Sequence, residues 1–297
     1  MKIGLNGTVM DASEAVISVY DHGFLYGMGL FETFRTYRGK PYLLERHMKR
    51  LQAGCDQLGI KYAPDPESVT SLMQELLAAN GLEDGYVRLT VSAGVAELGL
   101  PTGDYEQPNV LLLVKALPAV NDAAIMKGRE LRLLRTRRNT PEGGIRFKSL
   151  HYMNNIIAKR ELLAGGASFG AEGLMLSGEG WLAEGIVSNL FFVKDDIVYT
   201  PSIRTGILPG ITRQRVLELA REAGYAVQEG LYIWEQLLGA DEIWLTNSIQ
   251  ELVPVTALTN ADGRKVAVNG GEAGNITKRL LSIYRETTLI DLDGTER

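Results

Sequence analysis

Leu44, Met48, Leu51, Cys55 and Leu58 recur at spacings of four and three, which predicts a helix with one apolar stripe. Ahead of it, "KIGLNGTVM" alternates around Asn6-Gly7, a dipeptide suited to the left-handed turn of a hairpin. "GLFETFRTYRGKPYLL" reads as two further strands turning at Arg38-Gly39. Asp65-Pro66 opens a second helix, the aspartate as cap and the proline in the first turn, and Asn80-Gly81 ends it. "YVRLTVSAG" and "NVLLLVKAL" are predicted strands, the latter apolar enough to be buried on both faces. Residues 118–128, "PAVNDAAIMKG", show no period and are the expected linker.

The second half repeats the mixture. A helix carrying Asn154 and Asn155 stops at Gly165-Gly166, and its mouth is predicted just after Lys148. "GLMLSGEGWLAEG" and "NLFFVKDDIVYTP" read as hairpins turning at Gly178–Gly180 and Asp195-Asp196. "GILPGITRQRVLELAREAGY" is a loop feeding a helix that ends at Gly224. "DEIWLTN" is a strand entering the loop "SIQELVP", and "AGNITKRLLSIYRET" is the last helix. The expected class is mixed α/β, with antiparallel hairpins more than regular βαβ units. Its domains are an N-terminal one over 1–117, the linker over 118–128, and a larger one over 129–297.

Charge and composition narrow the function. The net charge of −5 over 297 residues, with no long basic run, argues against a nucleic-acid surface. No stretch reaches the roughly 18 apolar residues of a membrane span. Cys55 is the single cysteine, so no internal disulfide is available, and the N-terminus has no signal-peptide pattern. The expected location is the cytoplasm. His22, His47 and His151 with Cys55 give no metal-ligand spacing, and no metal is expected.

Three short stretches could carry chemistry. Lys148, in "IRFKSLHYMNN", is read either as a solvated lysine or as an amine desolvated by the compact "GGIRF" before it. A cation is misplaced at a helix N-terminus, and desolvation would make the neutral amine available as nucleophile or proton carrier. In "LPGITRQRV", Gly210 lets the backbone approach a ligand and the helix start offers N–H groups beside the Thr212 hydroxyl. That is either ordinary capping or an anion cup for a single phosphate; no Gly-Lys-Ser/Thr follows, so it is not a nucleotide loop. In "WLAEGIVSNLFF", Glu184 shares a strand face with Leu182 and is either an edge glutamate or an acceptor for a protonated ring nitrogen. Lysine, carboxylate about 36 residues later and cup about 28 further are what pyridoxal phosphate requires at its aldehyde, nitrogen and phosphate ends.

"DHGFLYGMGLFETFR", "ERHMKRL", "FKSLHYMNNIIAKRE", "AEGIVSNLFFV", "GILPGITR" and "TNSIQELVPV" together resemble the fold-type IV pyridoxal-phosphate enzymes. These are branched-chain aminotransferases, D-amino-acid transaminases and aminodeoxychorismate lyases. "RRNTPEGGIRFKSLHYMNN" and "YGMGLFETFR" look most like the aminodeoxychorismate lyases of Gram-positive bacteria. The resemblance implies a two-domain α/β enzyme with the cofactor at the domain interface, acting as a homodimer on a small molecule. It implies Lys148 as the covalent anchor, Glu184 on the pyridine nitrogen, and Arg50, Ile211, Thr212 and Ser248 on the phosphate. Leu208 would lie under the ring. Without the resemblance, Arg50 reads as a solvated helix charge.

The implied activity is a lyase releasing 4-aminobenzoate and pyruvate from 4-amino-4-deoxychorismate, in folate biosynthesis. The alternative is a D-amino-acid or branched-chain aminotransferase. For the substrate carboxylates the candidates are Arg88, at the position of an arginine linked to substrate acids in aminotransferases, with Arg138, Arg146 and the N–H groups at Ser248-Ile249. One departure stands out. Transaminases often place a tyrosine five residues after the lysine, against the ring hydroxyl; here Met153 occupies that position, beside Tyr152 and Asn154.

Overall fold

The computed structural model describes residues 1–119 and 121–290, and the chain divides into two compact units. The first takes residues 1–118 and 147–151 with the last described residues from Thr288; the second takes 119–146 and 152–287.

Strands β1 (Lys2–Leu5) and β2 (Thr8–Asp11) form the hairpin expected at Asn6-Gly7, both residues at positive φ. After the one-turn helix α1 (His22–Tyr26) come β3 (Gly29–Tyr37) and β4 (Lys40–Pro41), joined at Arg38-Gly39. Helix α2 (Leu44–Gln57) carries the apolar stripe, and α3 (Pro66–Ala79) is capped by Asp65, which accepts from Glu67 and Ser68 N–H. Strands β5 (Gly85–Ser92) and β6 (Asn109–Ala116) complete an antiparallel sheet of order β2-β1-β6-β5-β3-β4.

Alternation decides which side chains form this unit's core. Leu30 and Phe34, Val87, Leu89 and Val91, and Leu112 and Val114 bury against Met48, Leu51 and Cys55 of α2 and Met73 and Leu76 of α3. The expectation that β6 is buried on both faces is therefore corrected. Leu111 and Leu113 are only half-buried, because both helices pack on one face of the sheet.

The second unit holds α4 (Asp122–Met126), β7 (Arg129–Leu133), α5 (Met153–Ala164), β8 (Glu172–Leu176), β9 (Leu182–Gly185), β10 (Asn189–Lys194) and β11 (Ile197–Pro201). Then follow α6 (Ile211–Glu222), β12 (Ala226–Gly230), α7 (Trp234–Leu238), β13 (Glu242–Asn247), β14 (Glu251–Thr259), β15 (Lys265–Ala267) and α8 (Asn275–Ile290). Its sheet runs β12-β11-β10-β13-β14-β7-β8-β9, and a pairing of β9 with β10 closes six of these strands into a ring. Leu131, Leu174, Leu190, Leu245 and Val255 share one apolar cluster with Trp234 and Leu237 of α7.

Most hairpins fall where turn residues predict them, with Asp195 and Asp196 both at positive φ. Parallel pairs also occur: β7 with β8 and β11 with β12 flank α5 and α6 in the chain, and β14 pairs β7 in parallel.

Three expectations change. Residues 118–128 contain α4, which Asn121 caps through Ala124 N–H; it buries no residue, so it leaves no apolar period to detect. "SIQELVP" is not one loop. Asn247 Oδ1 accepts from Ile249 and Gln250 N–H to make a tight turn, and β14 begins at Glu251 despite Pro254 within it.

Lys148 is not at a helix mouth. Helix α5 begins at Met153, and Lys148 lies in an extended segment on the edge of β3 that short β4 leaves uncovered. Phe31 N–H donates to Lys148 C=O at 2.8 Å and Leu150 N–H to Gly29 C=O at 3.0 Å, because edge amides need partners. A Cβ on Gly29 would come within 2.7 Å of Leu150 Cδ1 and 2.6 Å of Val91 C=O. Gly29→Ala is thus expected to cost roughly 1–3 kcal/mol by overpacking, read from the shift in urea midpoint at unchanged slope.

Candidate active site

Glu184 sits on β9 between apolar neighbours, and its carboxylate is buried. Such a group needs donors, and the second unit supplies three. Arg138 Nε donates to Oε1 at 2.7 Å; Leu208 N–H and Asn189 Nδ2 donate to Oε2 at 3.0 and 3.3 Å. Arg138 is itself held by Asn154 Oδ1 at 2.8 Å and Asn155 Oδ1 at 3.2 Å. A carboxylate offers about four lone-pair sites, so one acceptor position is left for a further N–H.

The same network reaches the start of α6. Asn189 Nδ2 also donates to Leu208 C=O at 3.0 Å, so the loop before α6 is tied to the carboxylate from both sides. Gly210 is the N-cap and no side chain caps this helix. A Cβ at Gly210 would lie 2.0 Å from Asn189 Oδ1, so only glycine fits. The first helical bond is Gln214 N–H to Gly210 C=O, which places the amides of Ile211, Thr212 and Arg213 ahead of the ladder. Thr212 does not cap its own helix; its Oγ1 meets Ser248 Oγ at 3.2 Å. Thr246 pairs across strands with Asn189, which pairs with Glu184, and the Thr246 hydroxyl is buried without a hydrogen-bond partner. Hydroxyls, uncapped amides and a buried acceptor within one unit suit a ligand with a phosphate at one end and a ring N–H at the other.

Arg146 is buried, with Nε on Gly206 C=O and Nη2 on Asn139 C=O. Burial and the Arg138 charge pull it down to about 10. Both arginines are therefore engaged with protein acceptors. The Ile249 N–H is likewise bonded to Asn247 Oδ1 at 3.0 Å.

In the first unit, Lys148 Nζ lies 4.7 Å from the centroid of the Phe31 ring, and Arg88 Cζ lies 3.6 Å from the same centroid. Arg50 reaches back from α2 to Glu32, Nε to Oε1 at 2.8 Å and Nη2 to Oε2 at 2.6 Å. His47 Nδ1 meets the same Oε2 at 2.6 Å. Burial alone would raise the Glu32 carboxyl, but the Arg50 charge and the His47 hydrogen bond outweigh it and hold it at about 2. Burial lowers the His47 pKa against the pull of Glu32. An ionised Glu32 can only accept, so the proton of neutral His47 resides on Nδ1. Glu32, Asn189 and the Arg138–Glu184 pairing escaped sequence reasoning. The available signal for Glu32 was a carboxylate alternating with Leu30 and Phe34 on an apolar strand face.

The family model for amino-transferase class IV matches residues 29–258. The chain belongs to this family. It is 41% identical over 286 residues to the aminodeoxychorismate lyase of Bacillus subtilis (strain 168), covering 96% of this chain and 94% of that protein. A crystal structure of the T.th. branched-chain amino acid aminotransferase with pyridoxamine 5'-phosphate aligns with TM-score 0.85 at 30% identity, covering 97% of this chain and 93% of that one. The 4-amino-4-deoxychorismate lyase of Pseudomonas aeruginosa aligns with TM-score 0.81 at 30% identity, covering 96% and 98%. No described helix of this class IV chain is long and apolar enough to cross a membrane, and the described residues bring together no group of three or more His, Cys, Asp or Glu that could hold a metal ion.

Two outcomes are expected. Arg138→Ala leaves the Glu184 carboxylate buried without its cation and should cost about 3–5 kcal/mol by urea unfolding. Acid should also destabilise the protein. Glu32 has a depressed pKa, so its contribution is present above the unfolded carboxyl pKa and lost as pH falls toward about 2. His47 is buried neutral, so the unfolded chain gains a proton first, below about pH 6.5. Between about pH 7 and pH 5 the wild-type urea midpoint should fall relative to that of His47→Phe, and below about pH 5 the loss from Glu32 should follow in wild type.

Proposed function

We propose that this class IV chain is a 4-amino-4-deoxychorismate lyase that releases 4-aminobenzoate and pyruvate, a step toward folate. The observation that carries the reading is the 41% identity, over nearly the whole chain, to the Bacillus subtilis lyase. The cofactor is pyridoxal 5'-phosphate, in keeping with the pyridoxamine 5'-phosphate bound to the T.th. relative. When bound, it supplies an electron sink for charge left on the substrate carbon that bears nitrogen.

The chain's own residues do the rest. Lys148 Nζ would anchor the cofactor and, as a neutral amine, would take the proton from that carbon. Glu184 would accept the ring N–H with its remaining lone pair. Thr212, whose hydroxyl meets that of Ser248, would hold the phosphate with Ser248, the Ile211 amide and Arg50, and Leu208, fixed by Glu184 and Asn189, would pack against the ring. Arg88 is the candidate for a substrate carboxylate, since it shares the Phe31 ring with Lys148. Loss of the enolpyruvyl group aromatises the substrate ring, so no 2-oxo acid is needed as co-substrate.

We place the enzyme in the cytoplasm as a homodimer. Support for the dimer comes from Val16, Ile17, Val19, Tyr20 and Phe24, an exposed apolar run in the first unit that favours cover. A second reading, an aminotransferase, draws on the T.th. structure, since the same groups serve amine transfer to a 2-oxo acid.

A coupled assay from chorismate with an amination partner should give 4-aminobenzoate without added 2-oxo acid. Lys148→Ala should lower that rate by at least about 10²–10⁴-fold. Fast transamination of D-alanine or leucine with 2-oxoglutarate, and no 4-aminobenzoate, would instead establish the second reading.

A further inference from the structure

We propose that Glu32 is the positioning residue that sets the plane of the Arg50 guanidinium for the cofactor's phosphate, with His47 holding Glu32 from behind. The inference rests on the reading above that Arg50 binds that phosphate.

Glu32 occupies a place that the alternation of β3 reserves for an apolar side chain, between Leu30 and Phe34. Burying an ionised carboxylate there costs several kcal/mol before partners are counted, and a well-packed hydrocarbon would avoid that cost. The partners are arranged for direction as well as for neutrality. Both carboxylate oxygens take part in a fork on Nε and Nη2, which fixes the guanidinium in one plane, whereas a single hydrogen bond would leave it to swing. The third donor, His47 Nδ1, meets Oε2 at 2.6 Å and stops the carboxylate itself from rotating. Glu32 is sealed from water, its side chain 1% exposed, while that of Arg50 is 17% exposed. The buried edge of the arginine thus faces the carboxylate and the fork determines where the rest is presented.

The residue before Glu32 adds a second constraint. Phe31 N–H holds the Lys148 carbonyl and its ring faces the Lys148 amine, so consecutive residues of one strand position Lys148 and Arg50. A strand is stiff over two residues, and β3 then acts as the ruler between covalent anchor and phosphate cation. A lysine at position 50 could not be fixed this way, since its ammonium has no planar fork.

The test compares binding of pyridoxal 5'-phosphate and of unphosphorylated pyridoxal to the full chain stripped of cofactor, for wild type, Glu32→Gln, Glu32→Asp and Arg50→Ala. The aspartate variant keeps the charge but falls short of the fork, and it carries the test should Glu32→Gln not fold. The Glu32 variants should lose about tenfold or more in affinity for the phosphorylated ligand while pyridoxal affinity changes by less than about twofold, because only the phosphate contact depends on the fork. Equal loss for both ligands, no loss for either, or failure of both variants to fold would overturn the proposal and leave Glu32 a purely structural ion-pair partner. If Arg50→Ala is selective for the phosphorylated ligand and the Glu32 variants are not, this inference alone falls. If Arg50→Ala shows no selectivity, the assignment of Arg50 falls first and this inference with it.

Discussion

A carboxylate placed on an apolar sheet face must be met by donors, and this structure meets three of them in three ways. Glu32 receives a guanidinium fork and an imidazole N–H, and is held at about 2. Glu184 receives one guanidinium nitrogen, a backbone amide and a carboxamide, which leaves acceptor capacity in hand. Among the described residues Glu172 receives the Gly173 and Ile186 amides alone, and burial pushes its pKa up. Comparable burial gives opposite outcomes because the donor sets differ in charge. Of the three, Glu184 is the one tied to the loop that begins the uncapped helix α6.

Rigidity in the second unit follows from this constraint. Glu184 and Asn189 are the single residue pair through which β9 joins β10 and the ring of strands closes. The same two side chains hold the loop that begins α6, and Asn189 presses so close to Gly210 that the N-cap has room for no side chain. Acceptor and anion cup are therefore one rigid piece, with their separation fixed by sheet closure. A ligand that spans them meets preorganised groups and does not have to order a loop.

How much of this could be read in the chain depends on how local each cause is. Hairpins at Asn6-Gly7 and Asp195-Asp196 and the cap at Asp65 are determined by two to four adjacent residues, and all appear where expected. The helix proposed to begin at Lys148 failed because the cause is distant: an uncovered edge of β3 lies more than a hundred residues earlier. Helix α4 escaped because it buries nothing, and β14 because Pro254 imitates a break. Thr212, Glu184 and Lys148 could be singled out by their surroundings in sequence. Their supports could not. Arg138 lies 46 positions from Glu184, and nothing in the intervening pattern pairs them.

The roles proposed for Lys148, Glu184 and the start of α6 would serve lyase and aminotransferase alike, and structures bearing either name align at 30% identity. The reactions separate only after the proton is lost, when one substrate expels a group to become aromatic and another waits for a 2-oxo acid. That choice is weighted by the substrate's own bonds, so the chain need only select the substrate. Arg88, the residue proposed for a substrate carboxylate, is stacked on Phe31 in the first unit, its Cζ 3.6 Å from the ring centroid. A cation stacked on a ring keeps its charge with little flexibility, which suits a rigid dicarboxylate ring better than a flexible amino acid.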